Sequence, residues 1–141
     1  YQTNVDGTIN LANRFFNIPF VYISSEYAHN PQNYYSETKL AAEVAVKALS
    51  ERYLIIRTSF NVRPWPHKNA FIDSWTQGDY VDIIAPIIVK EINKWNKLDS
   101  KMIYVGTGRK RVYDIAVKSN PHVRASSVKE IKSVVIPSDY I

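Results

Sequence analysis

Short runs of β-branched and aromatic residues alternate along this chain with longer segments of helical periodicity. No other feature narrows the available folds as much. "PFVYISS" (19–25) is a short continuous run that fits a strand buried on both faces, and "YLIIRTSF" (53–60) and "KMIYVGTG" (101–108) are read as further strands. Before the first of them, "NVDGTINLANRFFN" (4–17) carries Val5, Ile9, Leu11, Ala12, Phe15 and Phe16 as a helical stripe that ends before Pro19. "PQNYYSETKLAAEVAVKALSER" (31–52) predicts a long helix with Ala41, Ala42, Ala45 and Ala48 at packing positions. "NVRPWPHKN" (61–69) is a proline-rich connection, and "AFIDSWTQ" (70–77) predicts a short helix. "DYVDIIAPIIVKEINKW" (79–95) reads as a short strand or turn and then a helix, "KRVYDIAVKS" (110–119) as a helix, and "SSVKEI" (126–131) as one turn led by a capping serine. Strands alternating with helices of this length argue for an α/β chain, a parallel sheet with helices on both faces and right-handed crossovers. In such sheets ligands bind beyond the carboxyl ends of the strands. Ser24 and Ser25 close one strand, and Thr58 and Ser59 close the next.

With 141 residues the chain is long enough for one domain with a real core. We divide it into a catalytic βα part, 1–62, and a C-terminal, substrate-side part, 63–141. No apolar stretch approaches the roughly 20 residues that cross a bilayer as a helix, and no basic-then-apolar leader opens the chain. The absence of cysteine excludes disulfides and thiolate metal sites, and fits a reducing, cytoplasmic setting. The chain starts at Tyr1 in helix-like sequence and stops at "VIPSDYI", which suggests a piece of a longer polypeptide. A parallel sheet without its first strands exposes an edge, so a homo-oligomer or a partner chain supplying strands is expected. The net charge of +5 is concentrated in 89–132, where eleven Lys/Arg face four Asp/Glu. These lysines recur every three to four residues among apolar ones, the pattern of solvent-facing helix surfaces. Nucleic-acid binding is the weaker reading, and attraction of a phosphorylated small molecule is a third.

The four glycines, at 7, 78, 106 and 108, form neither G-x-G-x-x-G nor a P-loop, so no phosphate-cradling turn lies in these residues. Tyr35 and Lys39 stand four apart in "NYYSETKLAAE" (33–43). With ten tyrosines and eleven lysines, chance alone yields Y-x-x-x-K about once, so the spacing is uninformative by itself. The chemistry is more telling. Residues i and i+4 share a helix face, and an ammonium near a phenol stabilises phenolate and lowers a pKa that is ordinarily about 10. A serine at the end of the preceding strand adds a second hydrogen-bond donor. Phenol, hydroxyl and ammonium together make a site for protonating a carbonyl oxygen while a cofactor supplies hydride to carbon.

"NVDGTINLA", "YISSEY", "PQNYYSETKLAAE" and "LIIRTSF" occur in that order, and together the chain resembles the extended short-chain dehydrogenase/reductases, from about Asn4 onward. Within them "ISSEYAH" and "YSETKLAAE" are most similar to blocks of the dTDP-4-dehydrorhamnose reductases. The resemblance implies a partial Rossmann-like fold, the catalytic and C-terminal part of such a reductase, without the glycine-rich cofactor-binding half. It implies reduction of a 4-keto-6-deoxy sugar nucleotide with NADPH or NADH, with a nucleotide-sugar epimerase as the runner-up. A non-catalytic binding or regulatory subunit is the alternative of another class. The resemblance makes Ser25, Tyr35 and Lys39 catalytic, with Tyr35 as proton donor and Lys39 as the ribose-binding, pKa-lowering lysine. It sets Ser24, Tyr35, Lys39, Arg57, Thr58 and Ser59 at the cofactor. Glu26 stands where the reductases carry Asp, and Tyr27 follows it where dehydratases carry a second acid, which favours a reductase. "IYVGTGRKRVYDIA" and "SVVIPSDYI" resemble later blocks of the family, the second with Ile136 in place of an arginine.

His29, His67 and His122 are scattered without ligand spacing, so no metal is expected. Asp79 and Asp82 read as caps of the following helix rather than as a carboxylate pair. Trp65, Trp75 and Trp95 offer stacking surfaces, although packing is the commoner use of tryptophan. Asn4 has two readings, a helix N-cap or, from the resemblance, a member of the active-site hydrogen-bond network.

Overall fold

The protein is described here from a computed structural model covering residues 1–130. A π-helical turn at Gln2–Asp6 runs into helix α1, Gly7–Arg14. Strand β1, Phe20–Ser25, ends in a 3-10 turn at Glu26–His29, and helix α2, Tyr34–Leu49, leads to strand β2, Tyr53–Thr58. Short strands follow at β3 (Phe60–Asn61), β4 (Asn69–Phe71), β5 (Trp75–Thr76) and β6 (Asp79–Tyr80), and then helix α3, Val81–Lys94. Strand β7 spans Lys101–Tyr104, β8 Lys110–Arg111, helix α4 Val112–Ala116 and β9 Arg124–Ser126, with a last 3-10 turn at Val128–Glu130.

The main sheet has the order β1-β2-β7 and is parallel throughout. Its register pairs Ser24 with Arg57 and Ser25 with Thr58, which brings both polar strand ends to one edge. Leu54, Ile56, Ile84, Trp95 and Val105 form a buried cluster between the sheet and α3. The opposite face takes α2, whose Ala42 and Val46 are fully buried. Side chains alternate across a strand, so Ile55 and Arg57 face α2 while Leu54 and Ile56 face α3. Helices therefore cover both faces of a parallel α/β sheet, as the alternation of the sequence implies. A second, smaller core joins Trp65, Ala70, Ala116 and Val123, with Val112, Tyr113 and Val117 packed on it.

Two local expectations are corrected. Residues 70–77 do not form a helix. They contribute to β4 and β5, which pair with β9 in parallel and with β8 in antiparallel fashion. Those partners are far off in sequence, and local periodicity carries no trace of them. Asp79 and Asp82 do not cap α3, whose N-terminus has no side-chain cap. Asp79 accepts a hydrogen bond from Thr107 (2.9 Å) and lies 3.5 Å from Lys110, while Asp82 pairs with Arg63 at 2.8 Å. The resemblance of 133–141, including Ile136, falls outside the described residues.

A close backbone approach fixes the junction of β5 and β6. A Cβ on Gly78 would lie 2.3 Å from the Ser59 carbonyl oxygen and 2.8 Å from its carbonyl carbon, so backbone would have to move. Gly78→Ala is expected to cost about 1–3 kcal/mol by overpacking, read as a lower urea midpoint with an unchanged slope.

Candidate active site

The first turn of α2 sets the site. Asn33 caps the helix by accepting the Ser36 N–H at 2.9 Å, and the Ser36 hydroxyl accepts the Asn33 N–H at 3.1 Å. This reciprocal box fixes where the helix begins and holds Tyr35 in its first turn. Ser25, at the end of β1, neighbours the Tyr35 phenol. The Ser25 hydroxyl also accepts the Tyr27 N–H at 3.2 Å, and the Tyr27 ring meets the Tyr35 ring edge-on with centroids 6.4 Å apart. The structure thus brings Ser25 and Tyr35 together beyond the carboxyl ends of the strands.

Lys39 lies one turn further along the same face. Its ammonium donates to the Ile23 carbonyl at 3.1 Å and stands 5.2 Å from the centroid of the Tyr22 ring. Burial lowers the Lys39 pKa, and the negative charge of Glu43 raises it in part. Burial pushes the Tyr35 phenol above its ordinary 10.0, and the neighbouring Ser25 hydroxyl pulls it back. The expected lowering by Lys39 is thus not what dominates here, because that ammonium is directed at the Ile23 carbonyl and the Tyr22 ring. Tyr22 itself is pushed up to about 12, first by burial and then by Glu43.

Ser24 and Arg57, expected at a cofactor, are buried under α2. The Ser24 hydroxyl donates to Glu43 Oε1 at 2.5 Å, and Arg57 grips the same carboxylate with two bonds of 2.8 and 2.7 Å. Arg57 also donates to the Tyr104 hydroxyl at 2.8 Å, which is 2.8 Å from Nδ1 of His29. Thr58 is buried with no hydrogen-bond partner for its hydroxyl among the described residues. Ser59 neighbours the Glu26 carboxyl and lines the cavity described below. Asn4 makes no side-chain cap. It donates to the Thr38 hydroxyl at 3.1 Å and ties the N-terminal turn to α2, and Thr38 in turn donates to the Tyr35 carbonyl at 2.8 Å.

Glu26, 1 % exposed, accepts hydrogen bonds from the Thr76 hydroxyl and from the Gln77 N–H at 3.2 Å. It therefore joins the end of β1 to the segment around β5. Burial pushes its carboxyl above the ordinary 4.5, opposed by Thr76, Gln77, Ser59 and Lys110. A raised folded pKa contributes stability that is present below the unfolded value and lost as pH rises through the folded one. The stability of the wild type relative to Glu26→Gln is therefore expected to be flat below about pH 4 and to fall above it, in urea titrations from about pH 4 to about pH 8.

Beside Tyr27 opens a cavity of about 620 Å³, lined among others by Ser59, Trp65, Lys68, Asn69, Thr76 and Ser127. Trp65 is mostly packed, its indole N–H donating to the Asn69 carbonyl at 3.1 Å, and it also lines the cavity. Trp95 is core, and Trp75 lies under the Arg109 guanidinium at 4.2 Å. Among the described residues no three His, Cys, Asp or Glu side chains group as a metal site, and no helix is long and apolar enough to cross a membrane.

The sequence reading missed Glu43, Tyr104 and the cavity. A signal for Glu43 existed. It stands four residues after Lys39 and eight after Tyr35, an acid within the buried, alanine-rich stripe of α2.

This architecture is shared with solved structures. The chain superposes on a dTDP-4-dehydrorhamnose reductase from Bacillus anthracis, solved in complex with NADP, with a TM-score of 0.73 at 20% identity. A dTDP-4-dehydrorhamnose reductase from Clostridium acetobutylicum gives 0.74 at 23%, and each alignment covers 96% of this chain and 61% of the other. The WbmG enzyme of Bordetella bronchiseptica, in complex with NAD and UDP, gives 0.61 at 12%, over 96% and 57% of the two chains. No protein-family model and no curated protein matches the sequence. The fold is the Rossmann-like fold of these reductases, and the chain spans about 61% of the length of the reductases it matches.

Proposed function

We propose that this chain is the catalytic and C-terminal part of a reductase acting on a 4-keto-6-deoxy sugar nucleotide with NADPH or NADH. The observation that carries the reading is the juxtaposition of Ser25, Tyr27 and Tyr35 at the carboxyl edge of a parallel sheet, with Lys39 on the helix face of Tyr35. The residues fit the nicotinamide and ribose end of such a cofactor: the Tyr35 and Ser25 hydroxyls lie at the strand ends and the Lys39 ammonium one helical turn away. They do not fit its pyrophosphate, since none of the four glycines builds a phosphate loop. That end requires strands alongside β1, whose outer edge has no strand partner among the described residues, from a longer chain or a partner chain. The bound cofactor would supply hydride to the carbonyl carbon.

In this reading the Ser25 hydroxyl donates to the substrate carbonyl oxygen and holds it beside Tyr35. Tyr35 gives its proton to that oxygen as negative charge develops there, leaving the sugar alcohol and a phenolate. The positive end of the α2 dipole, at whose first turn Tyr35 sits, stabilises the phenolate, and Lys39 adds to it when its ammonium turns from the Ile23 carbonyl toward the phenol. A proton from solvent restores the phenol. Trp65, Lys68 and Asn69 give the adjoining cavity aromatic, cationic and amide groups suited to a nucleotide. Ser24 and Arg57 serve through Glu43, and Thr58 and Ser59 complete the strand-end wall. The division into a catalytic part, 1–62, and a substrate-side part, 63–141, belongs to the same proposal.

The test is the loss of reduced-nicotinamide absorbance when a 4-keto-6-deoxy sugar nucleotide is added to the full-length protein. Substrate-dependent oxidation is expected. Its absence with both NADH and NADPH would overturn the reading.

A further inference from the structure

Glu43 is fully buried, on the face of α2 that carries Tyr35 and Lys39, one turn beyond the lysine. Three side chains, one from each strand of the main sheet, meet it or its partner. Ser24 on β1 donates at 2.5 Å, Arg57 on β2 binds both of its oxygens at 2.8 and 2.7 Å, and Tyr104 on β7 steadies Arg57 at 2.8 Å. From Tyr104 the chain of bonds reaches His29, at the end of the turn that follows Ser25. The network thus links all three strands of the main sheet, the helix of Tyr35 and Lys39, and the turn that carries Tyr27.

Such a connection does two things. It sets the depth and rotation of α2 on the sheet, because a buried carboxylate held by Ser24 and by both branches of an arginine has little freedom to shift. Ser24 precedes Ser25, so the same bonds that place the helix also place the strand end that Tyr35 must meet. It also keeps a formal negative charge next to an ammonium that burial disfavours. The groups that act on Lys39 are Tyr22 and the Ile23 carbonyl from β1 and Glu43 from α2, and Arg57 on β2 is bound to Glu43. Glu43 is the only anion among them.

We propose that Glu43 is a positioning residue of this site: held between Ser24 and Arg57, it docks α2 so that Tyr35 meets Ser25, and it holds a negative charge toward the Lys39 ammonium. The inference rests on the proposed reductase reading only for the task it gives Lys39. Its test needs neither nicotinamide nor sugar nucleotide, so the two stand or fall separately.

The test is a pH titration of the Lys39 side chain by NMR in the ¹³C-lysine-labelled protein, with the resonance assigned by its loss in Lys39→Arg. In Glu43→Gln the Lys39 midpoint is expected to fall by about one pH unit, a tenfold loss of proton affinity, while exposed lysines on other elements, such as Lys90 on α3, stay put. A merely structural role would not move one lysine selectively. Glu43→Gln leaves Arg57 buried without its partner, so Glu43→Gln/Arg57→Met is measured beside it. That variant removes both charges and is expected to fold and to lower the midpoint as well. A folded variant of either kind whose Lys39 titrates at the wild-type midpoint would overturn the proposal.

Discussion

Arg57→Met is expected to destabilise the protein by about 3–5 kcal/mol, the cost of leaving a buried carboxylate without its counter-charge. Arg57 is 7% exposed and Glu43 is fully buried, so water cannot replace the lost bonds. The cost does not measure what the pair contributes to folding. Removing two charges from water consumes most of what their attraction returns, so Glu43→Leu/Arg57→Met is expected to recover most of the loss. What remains is the Ser24 hydroxyl, deprived of its acceptor, at about 1 kcal/mol. Urea unfolding of the two singles and the double gives the coupling directly. If Arg57→Met alone were neutral, the buried connection between α2 and the sheet would carry no weight.

The second large effect falls on chemistry. Tyr35→Phe removes one oxygen atom from a half-buried ring that packs edge-on against Tyr27, so the fold is expected to be unchanged. Turnover should drop by about 10²–10⁴-fold, the range for losing a positioned proton donor. Burial raises the Tyr35 pKa and Ser25 lowers it. Ser25→Ala therefore weakens carbonyl binding and also leaves the phenol a poorer acid. Its pH–rate profile should move to higher pH, whereas Tyr35→Phe should leave little profile to measure. An activity loss in Ser25→Ala with no shift of the profile would separate the two roles.

How far the sequence revealed this arrangement depends on whether its determinants are local. The strand ending in Ser24-Ser25, the long helix of Tyr35 and Lys39, and the strand of Arg57 and Thr58 were legible as short apolar runs and a 3.6-residue stripe. Both patterns sit within a single element. The segment 70–77 was not legible. Its Phe71 and Trp75 satisfy a helical spacing locally, yet β4 and β5 exist because β9 and β8 pair with them from far along the chain. Glu43 failed to stand out for a related reason. An acid on a long helix ordinarily faces water, and only Arg57, fourteen residues away on the next strand, makes its burial tolerable. Ser24 and Arg57 were marked as cofactor contacts on the strength of the family resemblance. Which side of the strand they faced followed only once register and helix placement were known. The cavity beside Tyr27 belongs to the same class, because its walls come from the proline-rich connection, from β4 and β5 and from the segment after β9.

The most direct measurement follows the hydrogen itself. The full-length protein is supplied with nicotinamide cofactor deuterated at C4 and with a 4-keto-6-deoxy sugar nucleotide, and the product is read by mass spectrometry and NMR. One deuterium is expected on C4 of the sugar, at the same position but at a rate lower by about a hundredfold or more in Tyr35→Phe. A sugar product without deuterium, or labelled product formed by Tyr35→Phe at the wild-type rate, would contradict the assignment of Tyr35, Ser25 and Lys39 as a carbonyl-reducing site.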